Sequence, residues 1–161
     1  NPLGALYLDA ECEKENFQSP NAVILGHSLR IGGAISCFGN IQNYSDKTFA
    51  SEHAKVLIQT PEKKMRYTVR FANIVKGWEP TKRTAFAGES DFRSWYDSSR
   101  ESAAMVLDTD SEPNQVISLV SCSYNFWKQN ERTVVTAGID QKQAQTETVS
   151  TESRQTGSDA E

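Results

Sequence analysis

The chain is poor in the residues that build small specialised folds. It has three cysteines in 161 residues, Cys12, Cys37 and Cys122. An odd, small number excludes a disulfide framework, although Cys12 and Cys37 are left free to pair. Two histidines, His27 and His53, accompany them, and no spacing among these residues matches a zinc motif. Neither a metal nor a cofactor is expected. Basic residues are also in deficit, 17 Lys and Arg against 21 Asp and Glu, for a formal net charge of -4. That balance speaks against a nucleic-acid binder, which shows a basic face. No apolar run reaches transmembrane length, and no signal-peptide pattern is present. The chain opens at Asn1 rather than Met, so a fragment or processed form is expected.

What remains is ordinary globular composition with a polar appendage: 37% hydrophobic and 24% charged residues, enough for one domain with a core. Residues 140–161, DQKQAQTETVSTESRQTGSDAE, contain no aromatic and almost no aliphatic residue. Such a segment buries too little apolar surface to offset its ordering entropy, and a disordered tail is expected.

The body reads as strands. In residues 65–74, Met65, Tyr67, Val69 and Phe71 alternate with Arg66, Thr68 and Arg70, which is the period of a half-buried strand. KVLIQT (55–60) is a second strand, and PEKK (61–64) a hairpin loop between them. Residues 6–8, AVIL (22–25), QVISLVS (115–121) and RTVVTAGI (132–139) are further strands, the longer ones buried on both faces. One helix is expected near residues 90–105, with Ser90 as cap, Asp91 in the first turn, and Phe92, Trp95, Tyr96 and Ala103 on one side. A weaker one is expected at 49–53. The sum is a β-rich barrel or sandwich with an inserted helix.

Three residues carry candidate chemistry. Cys122 closes an apolar strand, where a side chain is rigidly held yet can face a groove. A thiolate there is a nucleophile for a carbonyl if a positive charge or base is near. A buried structural cysteine is the commoner use. Arg132 opens the next strand, ten residues on, and could stabilise a thiolate or an oxyanion if the two strands are neighbours. Otherwise it is a solvated arginine. His27 follows AVILG, with Gly26 allowing a tight backbone, and could pass a proton to a leaving amine. Its other reading is a loop histidine bonded to backbone. His53, before a strand and without a similar setting, is read as structural. Asp108, Asp110 and Glu112 lack the glycine and spacing of a calcium loop. Gly32 and Gly33 form a turn without the strand-to-helix context of a phosphate loop.

Taken in order, VILGHS, SLVSCSYNF and ERTVV resemble the three signature blocks of the sortases: a histidine after a strand, a TLxTC block, and an arginine one strand on. The stretches NPLGALYLD and GNIQNYSDKTFASEHAKVLIQTPEKKMRYTV are similar to the class B text before and after the histidine. A helix ahead of the cysteine strand also fits class B. The resemblance covers residues 2–139.

It implies a sortase-type β-barrel with an inserted helix before the cysteine strand. A catalytic domain would occupy 1–139 and a disordered polar tail 140–161. It implies a cysteine transpeptidase that cuts a C-terminal sorting signal of secreted proteins after threonine. The acyl group would rest on Cys122 as a thioester until a cell-wall or pilin amine releases it. His27 would be the acid and base, and Arg132 the oxyanion or substrate clamp. Ser121, Leu25 and Ser28 would meet the substrate. Ser121 stands for the threonine before the cysteine, Leu25 for a frequent tyrosine and Ser28 for a frequent asparagine. The setting would be the outer face of the membrane of a Gram-positive-type cell, with attachment through an N-terminal anchor absent from this chain. Alternatives are a cysteine hydrolase without transfer and a non-catalytic barrel. Class B sortases carry helices and early barrel strands before this segment, so a truncated chain with open sheet edges and an incomplete groove is expected.

Overall fold

The structure, a computed structural model, describes residues 4–12, 17–31, 33–77, 79, 82–108, 111–126 and 130–140. The expected tail from 141 onward, and Gly32 and Asp110, lie outside the described residues. In chain order the elements are β1 (Tyr7–Leu8), β2 (Asn21–Leu25), β3 (Arg30–Ile31), β4 (Ala34–Ile35), a 3-10 turn (Ile41–Ser45), α1 (Lys47–Glu52), β5 (Lys55–Gln59), β6 (Lys64–Lys76), α2 (Glu89–Glu101), β7 (Met105–Val106), β8 (Val116–Ser123) and β9 (Glu131–Ile139).

Seven strands form one sheet in the order β1-β2-β8-β9-β6-β5, with β7 added on β6; β3 and β4 make a separate hairpin. The fold is mainly β, as the β-branched runs require. It is not a closed barrel: among the described residues, no pairing joins β1 to β5. Neighbours are antiparallel except β2 and β8, which run parallel. That pair explains the near-continuous apolar text of NAVIL and VISLV, since a strand covered on both faces has no polar side to show.

One face holds the main core. Ala22 and Ile24 of β2, Ile117 and Leu119 of β8, Val135 and Ala137 of β9, and Met65, Tyr67 and Val69 of β6 pack there with Ile41 and Ala50. Helix α1 is capped by Asp46, whose side chain accepts from the Phe49 N–H at 2.8 Å. The opposite face carries α2 over Phe71 and Val116 through Phe92 and Tyr96, and beside it a small cluster of Val23, Val120, Val134 and Cys12.

Two expectations are corrected here. Phe71 does not share a face with Met65, Tyr67 and Val69. The β6–β9 register shifts between Val69 and Phe71. The extra residue, Arg70, reverses the alternation beyond it, so Phe71 meets α2 while Ala72 returns to the main core. Arg70 itself is buried rather than solvated. Helix α2 starts earlier than expected and makes no Ser90 cap; Gly88 holds the cap position. Asp91 instead accepts from the Ala87 N–H at 2.9 Å and from Arg83 at 2.6 Å. The Ala87 N–H and the Arg83 guanidinium hold its carboxyl below the usual carboxylate range.

Candidate active site

Cys122 lies inside β8 rather than just beyond it, and is partly exposed. Its direct partner across the antiparallel β8–β9 ladder is Arg132. Directly opposed residues have Cβ atoms about 4.5–5.5 Å apart and share a face. That face is the one carrying Val120 and Val134, away from the main core. The Arg132 guanidinium donates through Nη1 to the Glu131 carbonyl at 2.9 Å.

His27 approaches from the other side. The parallel ladder pairs Leu25 with Val120, and the Gly26 N–H still donates to the Val120 carbonyl at 3.2 Å. Continued two residues past the strand end, this register would set His27 level with Cys122. Adjacent strands lie about 4.8 Å apart, so the chain leaving β2 carries His27 along the flank of β8 toward the end that holds Cys122, with Arg132 on the strand beyond.

Several contacts fix that arrangement. The Ser121 hydroxyl donates to the Gly26 carbonyl at 2.8 Å, tying the end of β2 to the residue before Cys122. Ser121 is 2% exposed, with its hydroxyl committed to that bond, so it braces the site from the core face. The Ser36 hydroxyl donates to the His27 carbonyl at 2.5 Å and accepts from the Leu29 N–H at 2.9 Å. Two glycines are required by close approach. A Cβ on Gly26 would come 2.4 Å from Leu6 and 2.8 Å from Phe38, and one on Gly4 would come 2.9 Å from the His27 ring. Gly4 also has φ +80, which favours glycine.

His27 is exposed, and Leu25 and Ser28 are half-buried. On the same face a cavity of about 380 Å³ runs beneath α2, floored by Ser118, Val134 and Thr136 and walled by Trp95, Ser99 and Lys82. Lys82 bridges Asp9 at 2.9 Å and Glu11 at 3.2 Å, strapping the segment after β6 to the segment after β1. His53 is elsewhere: it ends α1, stacks on Phe49 at 4.1 Å, and bonds the Phe49 carbonyl through Nδ1 at 2.8 Å. Cys12 is buried, Cys37 exposed, and both are free thiols. Among the described residues no group of three or more His, Cys, Asp or Glu side chains could hold a metal ion.

The sortase-domain family model matches residues 3–140. The chain belongs to the sortase family. Sortases are cysteine transpeptidases, which suits a site built round a thiol. Several solved structures similar to this sortase are sortase B enzymes, and its fold is theirs. A Staphylococcus aureus sortase B in complex with substrate superposes with a TM-score of 0.72 at 20% identity, over 87% of this chain and 63% of that one. Clostridium perfringens sortase B gives 0.74 at 19%, over 87% and 75%. Sortase B from the type II pilus of Streptococcus pneumoniae gives 0.71 at 23%, over 84% and 76%. This sortase thus spans under two thirds of the S. aureus enzyme. No curated protein matches it. Among the described residues no helix is long and apolar enough to cross a membrane.

Four supports of the site were not visible in the sequence: Gly4 against the His27 ring, Ser36 under its carbonyl, the bracing role of Ser121, and Glu131 beside Arg132. The last offered one signal, a carboxylate at the head of an apolar strand, which ordinarily reads as solvated.

Proposed function

We propose that this sortase transfers acyl groups with Cys122 as nucleophile. The sulfur attacks the carbonyl carbon that follows a threonine side chain in a sorting signal. Arg132 donates hydrogen bonds to the oxyanion that develops. The C–N bond breaks, and His27 gives a proton to the leaving amine. A thioester on Cys122 remains. An amine of a cell-wall precursor or of a pilin lysine then attacks it, His27 takes the proton, and a new amide leaves with the thiol restored. The pairing of Cys122 with Arg132 across β8 and β9, with His27 two residues past the end of the neighbouring β2, is what supports this most.

Leu25 and Ser28 would line the entry for substrate, and the cavity beneath α2 would hold part of the signal. Residues 1–139 would form the catalytic domain and 140–161 a polar tail. The substrates would be secreted proteins bearing a C-terminal sorting signal. The site of action would be the outer face of the membrane in a Gram-positive-type envelope.

The test is mass spectrometry of the protein with sorting-signal peptides of the LPxTG and NPxTN kinds, with and without triglycine, beside Cys122→Ala. A mass increase on Cys122 that triglycine converts to ligated peptide is expected, with turnover lost by about 10⁴ or more in the variant. Release of free acid that ignores triglycine would make the protein a hydrolase. No adduct from folded protein would overturn the reading.

A further inference from the structure

We propose that Glu131 is a positioning residue for this site: its carboxylate fixes the turn that leaves Cys122 and so holds Cys122 and Arg132 in register. The inference rests on Cys122 and Arg132 being the reacting pair.

Glu131 opens β9 and is 0% exposed. A carboxylate taken out of water is costly unless donors replace the water. Here they do. Oε1 accepts from the Ser123 hydroxyl at 2.7 Å and from the Asn125 N–H at 2.6 Å, and Oε2 accepts from the Phe126 N–H at 2.7 Å. All three donors belong to the four residues that follow Cys122. Ser123 is also the ladder partner of Glu131, one step past the Cys122–Arg132 pair. Glu131 therefore adjoins Arg132 in sequence, and its carboxylate bonds the residue that follows Cys122, on the opposite face of the ladder.

Burial does not order this turn. Tyr124 is 60% exposed and Phe126 67% exposed. With residues 124–126 largely exposed, charge-assisted hydrogen bonds to one buried carboxylate offset much of the ordering entropy, beside the bond that the Asn125 side-chain amide donates to the Gln42 carbonyl at 3.3 Å. The backbone of the same residue serves the other half of the pair, since its carbonyl accepts the Arg132 guanidinium at 2.9 Å. On its other side Asn130, at φ 59, accepts the Gly77 N–H through its carbonyl at 2.5 Å, anchoring the strand head to the end of β6. Glu131 thus couples the chain leaving the thiol to the strand that presents the guanidinium.

The experiment compares the full chain with Glu131→Gln, Glu131→Asp and Ser123→Ala. It measures peptide-to-triglycine ligation, thermal unfolding, the titrated thiol of Cys122, and amide exchange at Asn125 and Phe126. Glu131→Gln should lower kcat per titrated thiol by about tenfold to a hundredfold, the effect of misplaced reacting groups. The KM for the sorting peptide should hold, and exchange at Asn125 and Phe126 should rise while β9 stays protected. Glu131→Asp should regain part of the rate. Ser123→Ala, which keeps the carboxylate and removes one donor, should lose about twofold to tenfold; it decides the matter if Glu131→Gln does not fold. A purely structural role would lower the melting temperature and the fraction of active thiol but leave kcat per thiol unchanged, and that result overturns the proposal. If Cys122→Ala and the unaltered protein turn over alike, the assignment of the reacting pair fails first and takes this one with it.

Discussion

The β8–β9 ladder has two faces of opposite character. On one, Ile117, Leu119, Val135 and Ala137 are sealed into the main core. On the other, Ser118, Val134 and Thr136 floor a cavity, and further along the ladder Cys122 pairs with Arg132. Both faces are largely covered, so burial does not separate them. What separates them is what covers each. The first meets interdigitated aliphatic side chains, where shape and volume decide stability. The second meets a helix and a strapped loop across a gap, where polar groups remain available to a ligand. On the proposed function, the same two strands would carry stability on alternate residues and chemistry on the residues between.

The sharpest way to break this division is to remove a side chain from the reactive level and compare it with a look-alike elsewhere. His27→Ala should cost about 10² to 10⁴ in kcat, the usual worth of general acid–base catalysis. Arg132→Ala should cost about 10² to 10³, as loss of an oxyanion donor does. His53→Ala removes a ring stacked on Phe49 and should leave ligation within about twofold, as surface changes do. Steady-state ligation of a sorting peptide to triglycine reads all three. Equal losses at His53 and His27, with both proteins folded, would remove His27 from its assigned place.

The core face is tested by its own truncation. Ile117 is wholly buried and belongs to the main core on that face. Ile117→Ala should destabilise by about 2–5 kcal/mol, from lost transfer energy plus the cavity left behind. Denaturant unfolding measures this, and ligation per titrated thiol should stay at the starting value. A fall in that rate at low temperature, where the variant is still folded, would show that the two faces are coupled.

Sequence and structure agree where the physics is local. A run such as VISLV is apolar on four residues of five, and that alone calls for cover on both faces. The order of histidine, cysteine and arginine was legible because each sits next to such a run. Pairing is less legible, because it is decided between distant segments. Nothing in NAVIL announces that it runs parallel to β8, yet that choice is what sends His27 toward the end of β8 that holds Cys122. A single inserted residue at Arg70 leaves the text of β6 alternating while the structure reverses it. Strands of two residues, such as β3, β4 and β7, are too short to carry a period at all. Ser121 reads as a substrate contact only if its face is misjudged; the parity of β8 turns it toward the core, where Gly26 takes its hydroxyl. Glu131 reads as solvated because its donors come from a turn whose path the sequence does not specify.

The smallest expected effect contrasts the three thiols, and it refines the comparison of faces. Cys12 is 3% exposed on the covered part of the reactive face; it accepts the Val23 N–H at 3.2 Å. Burial pushes its thiol above the ordinary value, opposed by that N–H and assisted by the Asp9 carboxylate. A raised thiol pKa means less thiolate at any given pH, so Cys12 should be the slowest to alkylate in the folded protein. Exposed Cys37 should react freely, and Cys122 should retain access through the groove. The linkage has a defined sign. The neutral buried thiol adds stability that is fully present below the unfolded thiol pKa of about 8.5 and fades as pH rises through the higher folded value. Iodoacetamide labelling followed by peptide mapping at pH 7.5 and 9.5 checks this. Labelling of Cys12 at the rate of Cys37 in native buffer would mean that the segment carrying it opens readily, and that the reactive face is covered less firmly than the core behind it.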